Sequence, residues 1–181
     1  MIEKALLGET ESMAAAAPVR GGRFSRILTG ILGLLLGLLI SAATLFRLVQ
    51  LSQAHSAEDE VLNEIADSLQ TLQALFYLVA ALCLAVIVSS IATFINSAWA
   101  PKALLGSTGA MFVLLVGCGI YEYSIIQTVF GDQLANSEEV PWQWKPMTTY
   151  SMLIAYVSLF FSGLIWLIDY LDRGRDVLHK R

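Results

Sequence analysis

The apolar residues of this chain fall in four long blocks, separated by short polar stretches. The blocks cover Ile27 to about Val49, about Leu72 to Ile95, Ala103 to about Val129, and about Thr148 to Ile168. Within each block apolar residues lie all round a helix, not along one stripe as in a soluble amphipathic helix. At about 1.5 Å per residue a run of some 20 residues spans roughly 30 Å, the thickness of the hydrocarbon core of a bilayer. Four membrane-crossing helices are predicted. A secretory signal competes for the first block, since arginines precede it and Ser41-Ala42-Ala43 resembles a cleavage site. The block is longer than the usual signal core of about 7 to 15 residues, which favours a crossing.

The stretches between the blocks have their own patterns. Gln50 to Thr71 is polar and acidic, and its second half has a helical period. Val61, Leu62, Ile65, Leu69 and Leu72 share one face, opposite Glu58, Asp59, Glu60, Asn63, Glu64 and Asp67. Ser56 stands where an N-cap would, with acidic residues in the following turn. The pattern predicts an amphipathic extension that runs straight into the second crossing. Pro101 opens the third helix after a tight turn closed by Asn96, Ser97 and Trp99, so helices two and three form an antiparallel hairpin. The last connector carries Trp142 and Trp144, which suit an interfacial aromatic belt.

Charge sets the expected orientation. Lys4, Arg20, Arg23, Arg26, Lys102, Arg173, Arg175, Lys180 and Arg181 fall on one side of a four-crossing arrangement, against Arg47 and Lys145 on the other. Lysine and arginine near helix ends are retained in the cytoplasm. The fold class is therefore an all-α membrane protein, a four-transmembrane-helix bundle with both termini cytoplasmic and an amphipathic outer extension of helix two. Its parts are a cytoplasmic tail (1–26), a transmembrane domain (27–168) with outer loops at 50–71 and 130–147, and a second cytoplasmic tail (169–181) that continues the last helix. Composition agrees, since 56% of the 181 residues are hydrophobic and only 14% charged, whereas about a quarter is charged in soluble domains. Short loops, strong charge bias and the lack of any Asn-x-Ser/Thr motif fit a bacterial inner membrane.

Candidate chemistry is sparse. Glu122 is the most unusual residue, an acid between Tyr121 and Tyr123 inside the third block. An ionised group there requires a partner, water or a proton. Arg47 and Glu122 each lie about 20 residues beyond the start of their helices, so both sit roughly 30 Å from the inner surface. That matching depth makes an ion pair between helices one and three the leading reading. The alternative makes Glu122 a proton or cation site with Gln127 as a polar neighbour. Gly33, Gly37 and Ser41 form a small-residue ridge on helix one that permits close helix approach, to this chain or to another. Leu62, Ile65 and Leu69, together with Trp142 and Trp144, are candidate outer contact residues.

Other chemistries find no residues to carry them. His55 and His179 lie outside the crossings, where they cannot serve as axial ligands of an intramembrane haem. Cys83 and Cys118 stand on separate helices, unlike a redox pair. No cluster has metal-site spacing, and neither a phosphate-binding loop nor a nucleophile elbow is present. The expected function is a small non-catalytic membrane subunit or accessory protein, without a cofactor or nucleic-acid partner. Its expected partners are lipid and other membrane subunits or copies of itself. The alternative is a small transporter or channel component that uses Glu122.

Overall fold

The computed structural model describes residues 23–55, 65–136 and 149–178. They form four helices: α1 (Arg23–His55), α2 (Ala66–Phe94), α3 (Ala100–Asn136) and α4 (Tyr150–Leu178). No strand occurs among the described residues. All four helices are long and apolar enough to cross a membrane, and even the shortest qualifying span, Tyr150–Asp172, has 23 residues, about 34 Å of helix.

Three helices run past the end of the apolar block that announces them, the last of them as expected. α1 continues past Val49 to His55, α3 past Val129 to Asn136, and α4 past Ile168 to Leu178. The physical reason is that hydropathy marks where side chains suit hydrocarbon, while backbone hydrogen bonding continues into polar residues such as Gln and Lys, which are good helix formers. Half of the acidic amphipathic segment, including Ser56 and Leu62, lies outside the described residues, as do Trp142 and Trp144. The seam it was expected to present does not stay free where it is described. Leu69 packs against the core and Leu72 is fully buried, so these residues serve the bundle itself.

The helices are arranged in the cyclic order α1, α2, α3, α4, with α4 closing back on α1. Pairs of facing residues fix the directions. Gly30, Gly33 and Gly37 of α1 face Phe94, Ser90 and Ile87 of α2, so these helices run antiparallel. Gly109 and Gly119 of α3 face Trp166 and Met152 of α4, again antiparallel. Ser25 donates to Asp172, and Tyr150 donates to the Ala43 carbonyl, which closes the ring in the same sense. One end of the bundle therefore holds the start of α1, the α2–α3 turn and the tail of α4. We refer to it as the turn end, and to the opposite end as the loop end.

The α2–α3 turn shows how the chain reverses. Asn96 adopts φ 64° just after α2, a left-handed conformation that asparagine tolerates better than most side chains. The Ser97 N–H reaches the Ala92 carbonyl at 3.1 Å and the Asn96 N–H reaches Thr93 at 3.2 Å, the bond pair of a Schellman motif. Arg26 of α1 donates to the Asn96 side chain and ties the turn to the neighbouring helix.

The core is mainly apolar, with Leu36, Ile40, Phe76, Val79, Val86, Leu104, Met111, Leu115 and Ile165 buried between the helices, and it also encloses several serines and threonines and Glu122. The exterior is also apolar. Leu38, Leu45, Leu84, Val88, Val113, Ile120, Phe160 and Leu167 are all about half exposed or more. A surface of this kind would drive association in water and suits hydrocarbon.

The small-residue ridge on α1 has a definite use. A Cβ at Gly37 would come within 2.6 Å of Ile87 and one at Gly30 within 2.9 Å of Phe94, while at Gly33 it would collide with Ser90. The glycines let α1 and α2 approach closely, so the ridge packs within this chain. Gly106, Gly117 and Gly163 have open space where a Cβ would stand.

Candidate functional site: a buried ion pair joining three helices

The most polar place inside the bundle lies at the loop end. Glu122 of α3 is buried, with 5% of its surface exposed, and its carboxylate points inward between α1 and α4. Arg47 of α1 donates from Nη2 to Glu122 Oε1. The other carboxylate oxygen, Oε2, accepts the backbone N–H of Ser151 at 3.0 Å. Both oxygens are thus engaged, each by a different helix.

The Ser151 contact has a particular meaning because of where Ser151 stands. α4 begins at Tyr150, so the N–H of Ser151 is one of the four at a helix start without an intrahelical acceptor. Thr149 supplies the local cap, its hydroxyl accepting the Met152 N–H at 3.4 Å, and its carbonyl accepts the Leu153 N–H at 3.0 Å. Glu122 supplies a further acceptor from another helix. It places negative charge at the positive end of the α4 dipole while neutralising Arg47. One carboxylate fastens α3 to α1 and to α4 together.

Arg47 is held on several sides. Its Nη1 donates to Gln50 Oε1 at 3.1 Å, one turn on along α1. Its Cζ lies 5.4 Å from the centroid of the Tyr150 ring, a cation–π distance. The Tyr150 hydroxyl donates to the Ala43 carbonyl at 2.8 Å, and its ring leans on Phe46 at 6.4 Å. The guanidinium is accordingly sandwiched between α1 and the first residue of α4. α2 contributes no polar group to this arrangement, and its residues near the loop end, Leu72 and Phe76, are fully buried apolar side chains.

The matching depth of Arg47 and Glu122 in the sequence corresponds to a direct contact. Gln127 does not join them. It is exposed and donates to the Tyr123 hydroxyl at 2.7 Å, one turn back on its own helix. Gly33 and Gly37 lie in the α1–α2 seam, away from the ion pair, and Ser41 follows them one turn on along α1. Ile65 and Leu69 are half-buried at the start of α2. Two participants escaped the sequence reading, Tyr150 and Ser151. The available signal was the sequence Thr148-Thr149-Tyr150-Ser151, a capping threonine followed by an aromatic at the expected start of a crossing.

Cys83 and Cys118 are buried and free, and Cys83 faces the Met111 sulfur at 3.7 Å. Among the described residues no three His, Cys, Asp or Glu side chains come close enough to hold a metal ion.

Fold and site together define a class, a four-helix bundle of membrane-crossing length stitched at one end by a three-helix ion pair. Comparisons with protein-family models, with curated proteins and with solved structures found no match to this chain.

Proposed function

We propose that this chain is a small non-catalytic subunit or accessory protein of a larger membrane assembly. The observation that carries the reading is the full engagement of Glu122. Glu122, the one acid buried in a membrane-length span among the described residues, has its charge met by Arg47 and its second oxygen by the α4 N-terminus. A carboxylate serving as a proton or cation site needs an oxygen that an incoming ion can reach. Here both oxygens hold the bundle together, which favours a scaffold over a pathway.

Two further features support the assembly. α3 turns Gly106, Ala110 and Gly117 outward, and such small residues let a neighbouring helix come close. The lipid-facing surface carries large apolar side chains elsewhere. The orientation inferred from charge puts both termini in the cytoplasm of a bacterial inner membrane. It is supported by the grouping of Arg26, Lys102 and the tail of α4 at the turn end, since positive residues favour the inner side.

Extraction in a mild detergent followed by native mass determination tests the reading. Unlike subunits in fixed proportion are expected with the chain. A homo-oligomer or lone monomer whose ion or proton flux in vesicles disappears in Glu122→Gln would overturn it in favour of transport.

A further inference from the structure

The buried hydroxyls of this bundle behave in two ways. On α2 and α3 they turn back to their own helix: Ser90 donates to the Val86 carbonyl at 2.6 Å, Thr93 to Ser89 at 2.8 Å, and Thr108 to Leu105 at 3.1 Å. Thr44, Ser151, Ser158 and Ser162 do not. Their hydroxyls are buried, at 0%, 0%, 0% and 5% residue exposure, and have no hydrogen-bond partner among the described residues. The Nε of Arg47 is in the same condition. A helical serine or threonine normally has a carbonyl three or four residues back within reach. Thr44, Ser158 and Ser162 therefore point away from their own backbone, into the space between helices, while Ser151 stands at the start of α4 with no helical turn behind it.

The five groups share one region of the bundle. Ser151, Ser158 and Ser162 are spaced by seven and four, so they lie along one seam of α4, with buried Ala155 between the first two. That seam starts at the carboxylate of Glu122, which holds the Ser151 N–H. Thr44 and Arg47 are one turn apart on α1, beside Ala43, which accepts the Tyr150 hydroxyl. Beyond Ser162 the seam is closed by Ile165, fully buried. From Ser151 to Ser162 it runs eleven residues, about 16 Å along the helix axis.

Ser158 and Ser162 lie well inside the bundle, two and three turns from the start of α4. A buried hydroxyl without a partner costs free energy, and a buried water makes about three hydrogen bonds to groups of this kind. Serine and alanine leave more room than the leucines that fill the rest of the core. We propose that the space between α1, α3 and α4 is a binding track for ordered water. The track begins at Arg47 Nε, Thr44 and Ser151 and extends along Ser158 to Ser162. Its ligand is water held by hydroxyls and by the ion pair. Its effect is to satisfy the hydroxyls and the Arg47 Nε inside an apolar bundle while the Glu122 carboxylate stays engaged by Arg47 and the Ser151 N–H.

Water-edited solid-state NMR on the full chain in bilayers of deuterated lipid provides the test. Magnetisation passes from mobile or bound water to nearby protein sites, and Ser90 and Thr93 of α2 serve as internal controls that are also buried hydroxyls. Build-up at Ser158 and Ser162 is expected to be at least threefold faster than at Ser90 and Thr93. In Ser158→Ala/Ser162→Ala, the fast build-up at Ala155 should fall toward the control rate and the unfolding midpoint should drop as bound water is lost. Equal, slow build-up at all four positions, or a double variant that unfolds later than the parent because a dry unpaired hydroxyl was removed, would overturn the proposal.

Discussion

The two ends of the bundle are held together by different means. At the turn end α2 and α3 are joined by a few residues, and the polar contacts there are peripheral: Arg26 to Asn96 at an exposed position, Ser25 to a half-buried Asp172. Local sequence does the work, through a Schellman turn with asparagine in the left-handed position. At the loop end the connections run through segments of nine and twelve residues outside the described structure, at 56–64 and 137–148. Here the helices are tied by side chains far apart in sequence, with Glu122 reaching Arg47 and the Ser151 backbone. Where the chain is short it closes the bundle by itself; where it is long, a buried charge takes over.

Breaking the loop-end tie is expected to have the largest effect. Glu122→Leu leaves the half-buried Arg47 without its counter-charge and removes the acceptor of the Ser151 N–H. A loss of about 3–5 kcal/mol is expected for a broken buried pair, read from reversible unfolding in mixed micelles. Gly37→Leu comes next. It drives a side chain into Ile87 and the α2 backbone, with a cost of about 1–3 kcal/mol or separation of α1 from α2. Asn96→Val at the turn end forces a β-branched residue to φ 64° and should cost about 1–2 kcal/mol by the same assay.

Smaller effects sharpen the contrast. Exchanging the pair as Arg47→Glu with Glu122→Arg should restore the ion pair yet remain about 1 kcal/mol short of the parent. An arginine at 122 cannot accept the Ser151 N–H and places positive charge at the α4 N-terminus. Full recovery in that double variant would show that the α4 contact contributes nothing. Gly117→Leu, on the open face of α3, should change stability by less than about 0.5 kcal/mol.

These features differ in how far the sequence reveals them. Four helices are legible because hydrocarbon imposes a minimum block length that few soluble patterns imitate. The Arg47–Glu122 contact is legible too, since two lone charges at one depth in apolar helices have few ways of being satisfied. The third partner is not. Ser151 lies 29 positions from Glu122, and the contact is to its backbone, which every residue possesses. Nor does sequence distinguish Gly37 from Gly117, as both stand among apolar neighbours. Only the packing shows that one meets Ile87 and the other open space. Gln127 lies five positions from Glu122, a spacing that already offsets it from the same face of α3, and it serves Tyr123.

A double-mutant cycle on Arg47→Met and Glu122→Leu measures the tie most directly, with unfolding free energy followed in the full chain. The two positions should be strongly non-additive, the double variant recovering at least about 1 kcal/mol relative to the sum of the singles, because it no longer leaves a lone buried charge. Losses that add to within about 0.5 kcal/mol would mean that the two residues act independently. The ion pair would then not be what closes the loop end of the bundle.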